Sequence, residues 1–510
     1  MSKHHNAQKT CWNCPALELK GHVDFRACGQ SMRKFMAEGQ AMAECKRRPE
    51  LGLFDPASIT FEECPEWEPG PYGYQLRDMR VLILGIDGYL GWTLALWLGS
   101  LGFHVAGVDN FNRRRWVAEE GSQSVVPIAP MSERLRAAKE VLGIDILFRE
   151  LDILDHEKLR EFIEEFQPEA IVHYAECPSA PYSMVDFDHA AYVQHNNVIG
   201  TLGLLFAMRD LAPEASLIKL GTMGEYGTPL TGRPIFEGIF PADAVLYWDG
   251  REWSMGGELT PRDPVSFYHV SKVQDTFNVY ESCKYWWLRS YDVMQGVIYG
   301  VHTDQVAADP RLRTRFDVDE WFGTVINRFV AQAVVGIPLT IYGSGGQTRG
   351  FLALRDAMQC MTRLILSPPE PGQYDVVNQI SGVYQVRELA ETVAHIAAEE
   401  FGLEVEIQRL ENPRVEADEH PYEVVYEKLP KQLGFEPQVT LEEEVYEMLK
   451  LLTQPHIRER IEAIRRVILP KTRWSGLHKE MEVLERYKVK PRKKVSLGSD
   501  GGGEDDTKRE

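Results

Sequence analysis

Arg80-Val81-Leu82-Ile83-Leu84-Gly85-Ile86-Asp87-Gly88-Tyr89-Leu90-Gly91 runs an apolar segment straight into a G-x-x-G-x-x-G turn. The segment Arg80–Leu84 reads as a strand, and Trp92–Leu101 beyond the turn reads as a helix. Glycines at this spacing let the backbone bend tightly and approach a pyrophosphate, which then rests at the positive end of the helix. Working outward, Val105–Val108 reads as a second strand, and Asp109 ends it 18 residues beyond Gly91. A carboxylate at that point accepts hydrogen bonds from both adenosine ribose hydroxyls and repels a 2'-phosphate, which favours NAD over NADP. Asn110 and Arg113 follow it. Arg113, Arg114 and Arg115 are also residues that can accommodate that phosphate. Asp152 and Ile153, after a third strand, stand where such folds hold adenine, although an aspartate at a strand end is equally ordinary.

Further strand-like runs at Ala170–His173, Leu217–Leu220 and Val293–Ile298 alternate with helical patterns. That alternation predicts an α/β fold with a doubly wound, Rossmann-like parallel sheet. After about residue 335 the pattern shortens, as expected of a smaller C-terminal substrate lobe. The expected organisation is a Cys-rich N-terminal module over residues 1–76, the main domain over 77–470 and a disordered tail over 488–510. Its 510 residues exceed what one core usually serves. A formal net charge of −20 leaves no basic excess for binding nucleic acid, yet it permits a local pocket for one phosphorylated ligand. No run of about 18 apolar residues suggests a membrane span, and no secretory leader is visible, so a cytoplasmic setting is expected.

Tyr268-His269-Val270-Ser271-Lys272 is the second constellation. Tyr268 and Lys272 at i and i+4 share one helix face. A phenol with a pKa of about 10 is a poor base at neutral pH. A neighbouring ammonium and a nicotinamide positive charge favour its phenolate. Tyr268 then takes a hydroxyl proton as hydride leaves for NAD, a general-base effect of about 10²–10⁴. Thr222, at the end of an earlier strand, is expected to hydrogen-bond the same hydroxyl. Alone, Y-x-x-x-K is common on surface helices; downstream of a dinucleotide cradle it gains meaning.

Taken together, these elements resemble the extended short-chain dehydrogenase/reductases, the NAD-dependent nucleotide-sugar epimerases and dehydratases. Five segments resemble more narrowly the UDP-sulfoquinovose synthase branch: Ser179–Met184, Gln194–Thr201, Lys219–Gly227, Tyr342–Gly350 and Asn412–Glu416. The resemblance runs from about Arg80 to about Gly434. It implies UDP-glucose as substrate, sulfite or a sulfur-donating protein as partner, a place in sulfolipid biosynthesis and a homodimer. It implies transient oxidation at C4 by NAD, elimination across C5–C6, sulfite addition and re-reduction. In place of the Thr-Asp-Glu of 4,6-dehydratases the chain has Thr222-Met223-Gly224. Glu225 and His269 are therefore the candidates for C5–C6 chemistry, against readings as a turn carboxylate and a packed histidine. Gln295, Arg349 and Arg414 are candidate contacts to the nucleotide sugar; a guanidinium suits a diphosphate better than lysine does. The loop Glu176-Cys177-Pro178-Ser179 departs from the branch, which has Gln and Arg where this chain has Cys177 and Pro178. Arg311, Arg313 and Arg315 are candidates to replace that charge. The alternatives are a 4-epimerase or 4,6-dehydratase on a related sugar nucleotide, and a non-catalytic NAD sensor or scaffold.

Five of the eight cysteines, Cys11, Cys14, Cys28, Cys45 and Cys64, fall in the first 64 residues. In a reducing compartment this suggests a zinc or iron–sulfur site, with His22 as a spare ligand. Reduced cysteines in a helical extension are the other reading.

Overall fold

The computed structural model describes residues 79–227, 233–410 and 422–469, and the backbone of Leu17–Lys20 and Met42–Cys45, two strands paired antiparallel. Of the cysteine ligands expected at the front end, Cys11, Cys14, Cys28, Cys64 and the side chain of Cys45 lie outside the described residues, as do the 488–510 tail and Arg414. Among the described residues no helix is long and apolar enough to cross a membrane.

Seven strands build the main sheet: β1 (Arg80–Leu84), β2 (His104–Asp109), β3 (Ile146–Glu150), β4 (Ala170–His173), β5 (Ser216–Thr222), β6 (Arg289–Gln295) and β7 (Tyr374–Gln379). All neighbours run parallel in the spatial order β7-β6-β5-β4-β1-β2-β3. The strand order reverses beside β1, where β2 lies on one side and β4 on the other. That reversal opens a crevice at the carboxyl ends of the strands, the place where open α/β sheets bind ligands. The doubly wound parallel sheet expected from the alternating runs is the one observed. The run Val293–Ile298 is not one strand: β6 ends at Gln295 and a separate strand, Val297–Tyr299, follows Gly296.

Alternation along β1 explains the layering. Val81 and Ile83 face a core that takes in α1 (Tyr89–Ser100), α2 (Met131–Leu142) and α6 (Leu354–Leu366). Leu82 and Leu84 face the opposite core, formed with α3 (His156–Phe166), α4 (Gly200–Leu211) and α5 (Phe267–Trp286). Successive side chains of a strand point to opposite faces, so a strand covered on both sides is apolar throughout. A third core joins the helices Val325–Val334, Val386–Phe401 and Leu441–Leu452 with Tyr299 and Phe316. The chain reaches this lobe and returns from it to supply α6 and β7, so the cavity between sheet edge and lobe is walled by both.

Candidate active site

The crevice holds a cavity of about 320 Å³. One end is the glycine turn. Gly85 adopts a φ of +85°, and a Cβ there would stand 2.7 Å from the Tyr174 carbonyl carbon. A Cβ on Gly91 would stand 2.2 Å from the Gly85 carbonyl oxygen. Helix α1 starts at Tyr89 with no side chain capping its first turn and no acidic residue in it. Its N–H groups are thus left to a ligand, and an anion is the ligand they favour. Gly85, Gly88, Tyr89 and Gly91 line the cavity, as do Asp109, Asn110, Arg113 and Ile153.

Asp87 and Asp152, expected to touch the cofactor, do not line the cavity. Asp87 is 1% exposed and carries two ion pairs, from Arg134 Nη1 and Arg114 Nη2, each at 2.6 Å. Its backbone N–H donates to Asp109 Oδ2 at 2.8 Å. Asp87 is a buried tie under the turn. Asp152 accepts from Asn110 Nδ2 at 2.8 Å, fixing the residue beside Asp109. Burial first, and the Asp87 charge second, push the Asp109 carboxyl up to about 6.

At the other end stand Thr222, Tyr268 and Gln295, all on the cavity wall. Thr222 closes β5, and its Oγ1 accepts from the Gly224 N–H at 3.2 Å. Tyr268 lies in the first turn of α5, which Ser266 caps by accepting from the His269 N–H. Ser183 Oγ accepts from the Tyr268 N–H at 3.0 Å, so the loop after β4 sets the tyrosine in place. Burial pushes the Tyr268 phenol well above its ordinary value, and the Glu176 charge adds to this. Gln295 Nε2 donates to Gln379 Oε1 at 3.1 Å.

Four further expected site residues do not line the cavity, and one of them is Lys272, 1% exposed with its Nζ donating to Glu176. Glu225 is fully enclosed, accepting from Thr276 Oγ1 at 2.9 Å with Lys219 and Arg262 each 3.6 Å away. It belongs to a buried charged cluster with Asp292, behind the wall. His269 packs its ring against Gly224 and places Nδ1 2.9 Å from Ser266 Oγ. Arg349 lies on the strand Thr348–Ala353, its Nη1 donating to the Thr348 carbonyl at 2.8 Å. Each is held by its own neighbours, which residue spacing does not reveal. Cys177 is fully buried, whereas Pro178 lines the cavity. Arg311, Arg313 and Arg315 do not line it. Arg113 does, seated 3.8 Å over the Phe322 ring and bonded to Asp317 at 2.9 Å.

Two participants went unassigned in the sequence. Asn197 sits in a one-turn π-helical bulge, His195–Ile199, of a kind that clusters at functional sites. It accepts from the Cys177 N–H at 2.8 Å and donates to Ser271 Oγ at 3.0 Å, clamping the β4 loop to α5. Glu176 lines the cavity and accepts from Lys272 Nζ. Its signal was available: it lies three residues past a strand whose carboxyl end faces the crevice.

The GDP-mannose 4,6 dehydratase family matches residues 82–448. A UDP-sulfoquinovose synthase of Sulfolobus acidocaldarius is 45% identical over 396 residues, 78% of this chain and 98% of that protein. The chain belongs to the UDP-sulfoquinovose synthase family. The chloroplastic UDP-sulfoquinovose synthase of Spinacia oleracea is 42% identical over 398 residues, 78% of this chain and 80% of that protein. This family sits within the NAD-dependent epimerases and dehydratases. Among solved structures, UDP-glucose 4-epimerase of Thermotoga maritima with UDP-glucose aligns at a TM-score of 0.54 and 20% identity. That alignment covers 73% of this chain and 98% of the epimerase. UDP-glucose 4-epimerase of Bifidobacterium longum in complex with NAD+ and UDP aligns at 0.55 and 17% identity, over 74% of this chain and 99% of that one. These two likenesses show the fold, and the synthase family rests on the sequence relatives.

Proposed function

We propose that the chain converts UDP-glucose and sulfite to UDP-sulfoquinovose, holding NAD in the glycine turn and the sugar against Thr222 and Tyr268. The observation that carries this reading is that one cavity wall contains both the Gly85–Gly91 cradle and the Thr222–Tyr268 pair. The residues present suit NAD: the open α1 N-terminus takes the pyrophosphate, and Asp109 takes the ribose diol. Arg113 and Arg114 are paired with Asp317 and Asp87, which offsets the positive charge they offer a 2'-phosphate. When bound, NAD supplies a hydride acceptor that is restored within the turnover.

The Tyr268 phenolate takes the C4 hydroxyl proton as hydride leaves that carbon, and the Thr222 hydroxyl hydrogen-bonds the same oxygen. Lys272, one helical turn on, supplies the positive charge that makes a phenolate attainable in a buried site. The C4 ketone acidifies the C5 hydrogen, so the C5 proton and the C6 hydroxyl leave as water. Sulfite sulfur then bonds C6, and C5 regains a proton. Tyr268 returns its proton to the C4 oxygen as hydride returns to C4. Gln295, on the cavity wall, is read as a contact to the sugar, and Arg349, off that wall, as a contact to the diphosphate or uridine beyond it, with Arg414 assisting. Glu225 acts as buried support, because its enclosure keeps it from C5. The homodimer reading finds support in exposed Phe206 on α4 and Phe277 on α5.

Incubation with UDP-glucose and sulfite, followed by mass analysis of the nucleotide, tests the reading: a UDP-linked sulfonate is expected. A sulfur-free 4-keto-6-deoxy or epimerised product contradicts it and supports the second reading, a dehydratase or epimerase. Pro178 on the wall, where the branch carries arginine, is the observation favouring that second reading.

A further inference from the structure

Lys272 is 1% exposed and lies between two carboxyl groups. Glu176 accepts from its Nζ on the cavity side, and Asp275 Oδ2 lies 3.9 Å away on the side of the core. Behind them Lys219 stands 3.1 Å from Asp292 Oδ1, with Glu225 and Arg262 adjoining. Three cations, Lys219, Arg262 and Lys272, thus face four carboxyl groups, Glu176, Glu225, Asp275 and Asp292, and burial pushes Asp275 well up and Glu225 up from the usual carboxylate range. His173 adds no charge, since burial holds its imidazole down at about 4; its Nε2 lies 3.0 Å from Thr201 Oγ1 and 3.6 Å from Glu176 Oε1. Glu176 Oε1 and both Asp275 oxygens accept no hydrogen bond among the described residues. Of these carboxyl groups, only Glu176 reaches the cavity wall.

We propose that Glu176 is a positioning residue for proton transfer at Tyr268: its carboxylate anchors the Lys272 ammonium beside the cavity and governs how readily the phenol gives up and regains its proton. The proposal rests on the role given to Tyr268 above. The loop supplies the aim. Glu176 lies just past β4, where its N–H donates back to the Tyr174 carbonyl at 2.9 Å, and the tight turn directs the side chain toward α5. Tyr268 and Lys272 stand one turn apart on that helix, so the cation's position is set from outside the helix by Glu176. The charged and titratable groups around the phenol include Glu176, Glu225, Lys219 and the Cys177 thiol, and the His269 ring lies 5.0 Å from the phenol ring. Glu176 is the largest charge among them acting on the phenol, and it opposes ionisation. Removing its charge while keeping its size both lifts that opposition and frees Lys272 toward the phenol. Both changes favour the phenolate.

The test uses the full chain with NAD bound, in three variants: Glu176→Gln, Glu176→Asp and Tyr268→Phe. The acid limb of kcat with UDP-glucose is expected to move about one pH unit lower in Glu176→Gln, a tenfold change in proton affinity. Glu176→Asp keeps the charge and is expected to restore the parent's limb at reduced kcat. Lysine ¹⁵Nζ resonances give a second readout: the protected Lys272 ammonium signal is lost in Glu176→Gln, while that of Lys219 persists and reports an intact fold. An unmoved acid limb with the Lys272 signal retained overturns the proposal. If Glu176→Gln does not fold, Glu176→Asp decides alone, because an unchanged kcat and an unchanged Lys272 signal after shortening the side chain overturn it too. Retained turnover in Tyr268→Phe overturns the role of Tyr268 itself. Loss in Tyr268→Phe with an unmoved Glu176→Gln limb removes Glu176 alone.

Discussion

The two ends of the cavity are built by different means. The cradle end comes from one continuous stretch, Gly85 to Asp109, and is fixed by sterics: a methyl group on Gly91 would collide with the Gly85 carbonyl. The proton-transfer end gathers Glu176, Thr222, Tyr268 and Lys272 from three separated segments and is fixed by buried charge. A contiguous backbone motif carries its geometry with it. A charge cluster acquires geometry only when the sheet brings β4, β5 and α5 together, so each end is open to a different kind of damage.

The largest effect is expected at Tyr268. Tyr268→Phe lowers kcat by about 10²–10⁴ while NAD stays bound, read by turnover and by cofactor absorbance of the purified protein. A parallel loss of bound NAD would merge two ends that are held here to be separate. Next comes the support behind the wall. Lys219→Met leaves Asp292 and Glu225 without their nearest ammonium and costs about 3–5 kcal/mol in urea unfolding. Gly91→Ala strikes the cradle alone: about 1–3 kcal/mol of NAD affinity is lost, measured by titration. The smallest effect is the pH dependence of NAD binding. Only an ionised Asp109 accepts from both ribose hydroxyls, so affinity weakens as pH falls through about 6 and levels off above it. Asp109→Asn removes that dependence.

How far the sequence was legible follows the same division. The glycine spacing, the strand-end Asp109 and the Tyr268–Lys272 interval were readable because each is local, and the alternating runs implied the parallel sheet. Asp87 looked like a cofactor contact because it sits inside the motif; its partners Arg114 and Arg134 come from elsewhere and turn it inward. Glu225 and His269 looked reactive from their spacing to Thr222 and Tyr268, whereas packing against Thr276 and Gly224 holds them behind the wall. The position of Glu176 just past a strand marks it as a crevice residue, but its pairing with Lys272, 96 residues distant, is not visible in spacing. Burial and long-range pairing decide these cases, and neither is written in spacing.

The most direct measurement is a single incubation in D₂O of UDP-glucose, deuterated at C4, with sulfite and the NAD-loaded protein, followed by mass and NMR analysis of the nucleotide. Hydride that leaves C4 and returns within one cavity predicts a sulfonated product that keeps the C4 label and gains one solvent deuterium at C5. A product that has lost the C4 label, or that carries no sulfonate, contradicts a shared site for oxidation, elimination and sulfite addition.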